Sequence, residues 1–117
     1  MTEQLEDLKT RIRRFAEERD WDQFHTPKNL AMALIVEAAE LVEHFQWLSG
    51  EESGVLPADK KAEVEAELAD ILIYLVRIAD KLDMDLYRAA LQKLQHNAEK
   101  YPAEKVSGDS RKYNKYP

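Results

Sequence analysis

Apolar residues recur every three or four positions along most of this chain, a period that places them on one face of an α-helix. Leu5, Leu8, Ile12 and Phe15 form the first such stripe and predict a helix over about Thr2–Arg19. Thr26-Pro27 then supplies an N-cap followed by proline at the first helical position. It opens a second helix reaching about Leu48, with Leu30, Leu34, Ala38, Leu41, Phe45 and Leu48 on its apolar face. Ser49–Ala58 holds two glycines and Pro57 and reads as a loop. A third helix, with Asp59 as its cap, runs to about Leu82 on Val64, Leu68, Ile71, Leu72, Leu75, Ile78, Ala79 and Leu82. Asp83 or Asp85 caps a fourth, carried by Leu86, Ala90, Leu91 and Leu94 and stopped near Lys100 by Tyr101-Pro102. With 3 glycines and 4 prolines in 117 residues, the chain lacks the turn density of an all-β fold. The expected architecture is all-α, a four-helix-bundle-type protomer over residues 1–102, followed by a basic, extended tail over 103–117.

The absence of cysteine excludes disulfides and thiolate metal sites. No long uncharged apolar run is present, so no membrane span is expected. The acidic N-terminus lacks a signal-peptide core, which makes a cytoplasmic protein the simplest expectation. A net charge of −6 argues against a general nucleic-acid binder.

Two acidic pairs break the apolar pattern. Glu37/Glu40 and Glu67/Asp70 each have i,i+3 spacing, so each can present two carboxylates to one point. Glu37 falls within or beside the stripe of the second helix, and Asp70 precedes the most hydrophobic stretch of the chain. Carboxylates beside a core need charge compensation. Two readings stand: solvated helix residues paired with Lys or Arg, or an oxygen-only site for a hard divalent cation, Mg²⁺ first. Neither pair has histidine at ligand spacing, which argues against a di-iron site. A Mg²⁺ held this way keeps positions for water and phosphate oxygens, so the second reading points to phosphate chemistry.

Trp21, Phe24, Trp47 and Tyr74 can be packing residues or a surface on which a nucleobase stacks. Lys93, Asn97 and Lys100 recur along one face of the fourth helix, as a solvated face or as phosphate contacts. No serine elbow, nucleophilic cysteine or glycine-rich phosphate loop is present, so covalent catalysis and P-loop binding are not expected.

The residues then resemble a known family. Glu37-x-x-Glu40, a spacer and Glu67-x-x-Asp70 match the signature of MazG-like all-α nucleoside triphosphate pyrophosphohydrolases. Phe15-Ala-Glu-Glu-Arg-Asp-Trp-Asp-Gln-Phe-His25, Pro27-Lys-Asn-Leu30, Glu43-His-Phe-Gln-Trp47, Asp70-Ile-Leu-Ile-Tyr-Leu75, Asn97, Tyr101-Pro102 and Ser110-Arg-Lys-Tyr113 are similar to its dCTP pyrophosphatase subfamily. The resemblance implies Mg²⁺-dependent hydrolysis of a (deoxy)nucleoside triphosphate to monophosphate and pyrophosphate, in a role that removes surplus or noncanonical nucleotides. It implies a homo-oligomer, a dimer or a dimer-of-dimers tetramer. Glu37, Glu40, Glu67 and Asp70 would be the metal-holding and catalytic residues. Trp21, Asp22, Gln23, Phe24, His25, Trp47 and Tyr74 would form the base and sugar pocket. Lys93, Asn97, Arg111 and Lys112 would contact substrate. The chain departs from the animal members at Ile12, where they carry a substrate-contacting histidine. A pyrophosphohydrolase of another branch, acting on dUTP or phosphoribosyl-ATP, and a catalytically silent nucleotide-binding module are the alternatives.

Overall fold

The computed structural model describes residues 2–110, and these divide into two compact units, one ending at Met84 and one beginning at Asp85. The first unit contains α1 (Thr2–Glu18), a 3₁₀ turn (Asp22–Phe24), α2 (Pro27–Glu43), α3 (Gly50–Ser53) and α4 (Ala58–Lys81). The second contains α5 (Leu86–Lys100) and α6 (Ala103–Val106). Every regular element among the described residues is helical.

Local chemistry explains most of the boundaries. Thr26 Oγ1 accepts from the Asn29 N–H at 3.1 Å, and Pro27 begins α2 as its signature requires. Asp85, rather than Asp83, caps α5, its Oδ1 accepting from the Arg88 N–H at 3.0 Å. Asp83 instead closes α4: it takes a left-handed φ of 53°, and the Met84 N–H folds back to the Ala79 carbonyl at 2.8 Å. Asp20 closes α1 in the same way, with φ 55° and the Trp21 N–H on the Ala16 carbonyl at 2.9 Å. Such a residue is usually glycine; aspartate is among the few side chains that tolerate the region.

Four expectations about the elements and their ends change. The second helix ends at Glu43, and residues 44–48 continue as hydrogen-bonded turns. The expected loop contains α3, held by a capping box in which Ser49 Oγ accepts from the Glu52 N–H at 3.0 Å and Glu52 Oε1 from the Ser49 N–H at 2.8 Å. Asp59 lies in the first turn of α4, and Pro57 holds the cap position. Ala103–Val106 forms a helical turn where an extended chain is expected, while Arg111 and Lys112 lie outside the described residues.

In the first unit, α4 is the hub against which both α1 and α2 pack. The buried apolar core is small: Ala16, Leu30, Val64, Val76 and Ala79. The shielded positions of α4 include Lys60, Val64, Glu67, Ile71, Tyr74, Ile78 and Lys81, again at three-to-four spacing. The expected core leucines Leu68, Leu72, Leu75 and Leu82 are exposed instead. Helix α4 is apolar over more of its circumference than one neighbour can cover, and the stripe that faces inward carries Glu67 and Tyr74, with Asp70 exposed at its border. Leu91 and Leu94 of α5, also expected in the core, are exposed.

Candidate metal centre and adjoining pocket

The packing of α2 on α4 brings the two acidic pairs together. Glu37, Glu67 and Asp70 each offer a carboxylate oxygen within 4.8 Å of the others. Glu40, one turn along α2, is close enough to hydrogen-bond with Glu37. The Glu67 Oε2 is buried and has no hydrogen-bond partner among the described residues. Hydrogen bonding with Glu67, partial burial, hydrogen bonding and charge from Glu40, and the charge of Asp70 push Glu37 up from 4.5 to about 7. The same surroundings raise the Tyr74 phenol, through burial first and then the charges of Glu37 and Asp70.

A cluster of this kind is short of positive charge. No lysine or arginine forms an ion pair with these four carboxylates among the described residues. An all-oxygen donor set with an orphaned buried lone pair fits a hard divalent cation, which would satisfy the orphan and remove the repulsion.

Next to the acids is a cavity of about 230 Å³. Ile12, Phe15, Leu30 and Ile73 make its apolar wall, and Trp21, His25 and Tyr74 add ring surface. Asp70 and Arg77 complete the lining, so Asp70 belongs both to the carboxylate cluster and to the cavity. The volume is smaller than the roughly 300–1,000 Å³ typical of drug-sized ligand pockets, which suits one planar ring with the rest of its ligand outside. Trp21 is oriented by Phe15, edge to face with centroids 5.7 Å apart, and Arg19 stacks on the far part of this group, 3.7 Å from the Phe15 centroid.

The segment from Trp21 to His25 is tied to α4 by an ionic network. The Arg77 side chain is only 3% exposed. Its Nη2 donates to Asp22 Oδ1 at 2.7 Å, its Nη1 to Asp80 Oδ2 at 3.4 Å and its Nε to His25 Nδ1 at 3.2 Å. Lys81 Nζ donates to Asp22 Oδ1 at 2.8 Å, and Arg13 Nε to Asp80 Oδ2 at 3.0 Å. Hydrogen bonding from Lys81 holds Asp22 below the usual carboxylate range, and Arg13 does the same for Asp80. Burial and the Arg77 charge push His25 down.

The expected site residues therefore separate into groups. Glu37, Glu67 and Asp70 meet, with Glu40 beside them; Trp21, His25 and Tyr74 line the adjoining cavity. Asp22 is engaged by Arg77 and Lys81, Gln23 donates back to Asp20, and Phe24 is exposed; none of the three lines the cavity. Trp47 is 86% exposed and also does not line it. Lys93 and Asn97 lie one turn apart on α5 in the second unit. Sequence reasoning missed Phe15, Leu30 and Ile73 as lining residues and Arg77 as the hub of the network. An arginine inside Tyr74-Leu-Val-Arg-Ile-Ala79 was a usable signal, because a charge in so apolar a run demands partners. A larger groove, about 620 Å³, lies between the end of α2 and the start of α4, but no expected site residue lines it.

Comparison with known proteins identifies relatives in sequence and in fold. The MazG-like family model matches residues 32–115. The chain is 43% identical over 115 residues to dCTP pyrophosphatase 1 of Mus musculus, covering 97% of this chain and 68% of that protein. It is 44% identical over 115 residues to dCTP pyrophosphatase 1 of Homo sapiens, with the same coverage of 97% and 68%. A solved pyrophosphatase from Archaeoglobus fulgidus superposes with a TM-score of 0.80 at 41% identity, covering 85% of this chain and 93% of that one.

Proposed function

The chain belongs to the MazG-like family, and from that premise we propose that it is a Mg²⁺-dependent nucleoside triphosphate pyrophosphohydrolase. Its proposed substrate is dCTP or a related, modified deoxynucleotide, converted to the monophosphate and pyrophosphate. The single observation that carries the reading is the double membership of Asp70, in the carboxylate cluster and in the wall of the aromatic cavity. A base held in the cavity leaves its triphosphate beside the acids.

Glu37, Glu67 and Asp70 would hold the cation, with Glu40 completing the set. Bound there, it supplies charge neutralisation on phosphate oxygens and a more acidic water. The chain's own residues do the rest. Trp21 and Tyr74 give the base flat surface, and Ile12, Phe15, Leu30 and Ile73 exclude water from one side of it. A carboxylate of the cluster accepts the proton of the water that attacks the α-phosphorus. The bond to the bridging oxygen breaks and pyrophosphate leaves. Lys93 and Asn97 are proposed contacts to the triphosphate.

The protomer also leaves much apolar surface uncovered: Met32, Ile35, Val36 and Val42 on α2, and Leu68, Leu72 and Leu75 on α4. Exposure on this scale supports a homo-oligomer, a dimer or a dimer of dimers. Trp47 is exposed and absent from its own cavity, and is proposed to meet substrate in such an assembly. Among the described residues no helix is long and apolar enough to cross a membrane.

The test is a panel of nucleoside triphosphates incubated with Mg²⁺, the products separated. Monophosphate plus pyrophosphate in equal amounts is expected, with dCTP or a modified dCTP turned over fastest. Release of orthophosphate, or no turnover of any triphosphate, would overturn the reading. Preference for dUTP or phosphoribosyl-ATP would move the chain to another branch.

A further inference from the structure

His25 lines the cavity, and one of its ring nitrogens is already committed. Arginine has only N–H donors and keeps its charge. The bond from Arg77 Nε to Nδ1 at 3.2 Å therefore requires a lone pair on Nδ1. A neutral imidazole with a bare Nδ1 carries its proton on Nε2. That Nε2–H has no protein partner among the described residues; the ring is half-buried and this edge of it stays accessible to a ligand or to water. Burial and the adjacent Arg77 charge also oppose a second proton on the ring.

Arg77 cannot easily turn away. Its guanidinium is buried and divides its donors among three acceptors on two segments, Asp22 and His25 on one and Asp80 on its own helix. The two acids are held in turn by Lys81 and Arg13. The histidine faces a planar donor fixed from both sides, so its ring has one preferred tautomer and one preferred orientation.

We infer that Arg77 is a positioning residue that locks His25 as the Nε2–H tautomer, so that His25 offers the base in the cavity a single fixed hydrogen-bond donor. This rests on the nucleotide reading above. It adds a chemical requirement: the bound base carries an acceptor, a ring nitrogen or a carbonyl, on the edge that meets His25. A site built around an unpartnered donor discriminates against bases that leave it unpaired.

The tautomer is measured first, without substrate, from the ring ¹⁵N resonances of His25 in the full chain at neutral pH. A bare Nδ1 and a protonated Nε2 are expected. A protonated Nδ1 in the wild type overturns the proposal. Arg77→Met removes the donors and its own two ion pairs yet leaves Asp22 with Lys81 and Asp80 with Arg13, so neither acid is left without a cation. His25 in that variant should become a mixture of tautomers, and an unchanged Nε2–H form would show that Arg77 does not set it.

Kinetics with dCTP and Mg²⁺ then separate positioning from structure. His25→Ala should raise KM about tenfold, the loss of one hydrogen bond, with kcat within about threefold of wild type. His25→Gln, whose amide places an N–H near the Nε2 position, should recover most of the loss. Arg77→Met should raise KM in the wild type but add little in the His25→Ala background, since it acts through His25. Additive effects, or a His25→Gln variant no better than His25→Ala, would overturn the inference. If no triphosphate is hydrolysed, the functional reading fails while the tautomer measurement still decides the role of Arg77. If Arg77→Met does not fold, the wild-type tautomer and the His25→Gln rescue remain decisive.

Discussion

Replacing Glu37 by glutamine should make the metal-free protein more stable at alkaline pH. Glu37 is pushed up from 4.5 to about 7 by Glu67, Glu40, Asp70 and partial burial. Below 4.5 the carboxyl is protonated in both folded and unfolded chains, and the pair of states is balanced. Between 4.5 and about 7 the unfolded chain has released its proton while the folded one still holds it, so rising pH draws the equilibrium toward unfolding. Above about 7 the full penalty is present. At about 1.4 kcal/mol per pH unit the whole displacement corresponds to about 3 kcal/mol. The site is partly solvated, so about 1–2 kcal/mol is the loss expected for this residue. The assay is urea unfolding in EDTA at pH 5 and pH 8, wild type against Glu37→Gln. Wild type should lose about 1–2 kcal/mol more than the variant over that interval, or about 4–8 °C in Tm at about 4 °C per kcal/mol. Excess Mg²⁺ at pH 8 should restore the wild type and have little effect on the variant. Parallel pH profiles for the two proteins would refute the claim that Glu37 carries the strain of the cluster.

Other predictions concern activity and the scaffold. Asp70→Asn should abolish pyrophosphate release while leaving far-UV helicity unchanged, and an active variant would remove Asp70 from the site. Asp80→Asn should destabilise the fold by about 1–3 kcal/mol at pH 7, since Arg13 and Arg77 lose a shared anion, as thermal unfolding would report. Arg13 holds the Asp80 carboxyl below its usual 3.8, so its contribution is complete above that value and disappears as pH falls through the lower, folded-state pKa. Acid unfolding of wild type but not of Asp80→Asn should therefore steepen below pH 3.8. Asp83→Gly should raise stability by about 0.5 kcal/mol, because glycine adopts the left-handed closure of α4 without Cβ strain; a drop in Tm would count against that account.

The helices and the two acid pairs are legible in the sequence. Periodicity in Leu5, Leu8, Ile12 and Phe15, the Thr26-Pro27 start and the i,i+3 acid pairs are all local features, and local features survive into the fold. The Ser49/Glu52 capping box was equally local but lay within a stretch whose glycines and proline signalled a loop. Which face of α4 points inward was not local. Its apolar residues cover more than one side, and periodicity alone favoured Leu68, Leu72 and Leu75 over Glu67 and Tyr74, which the first unit shields together with Ile71 and Ile78.

By itself, then, the sequence determined that this protein is helical and carries four carboxylates in two pairs, because each fact depends on residues within a few turns of one another. Only the tertiary structure decided that three of them meet within 4.8 Å and that Asp70 also borders an aromatic cavity. It alone joined Asp22, His25, Arg77 and Asp80, residues up to 58 positions apart, into one network. The reason is geometric. Helical spacing fixes which side chains share a face, but only the packing of α1 and α2 on α4 fixes which faces meet.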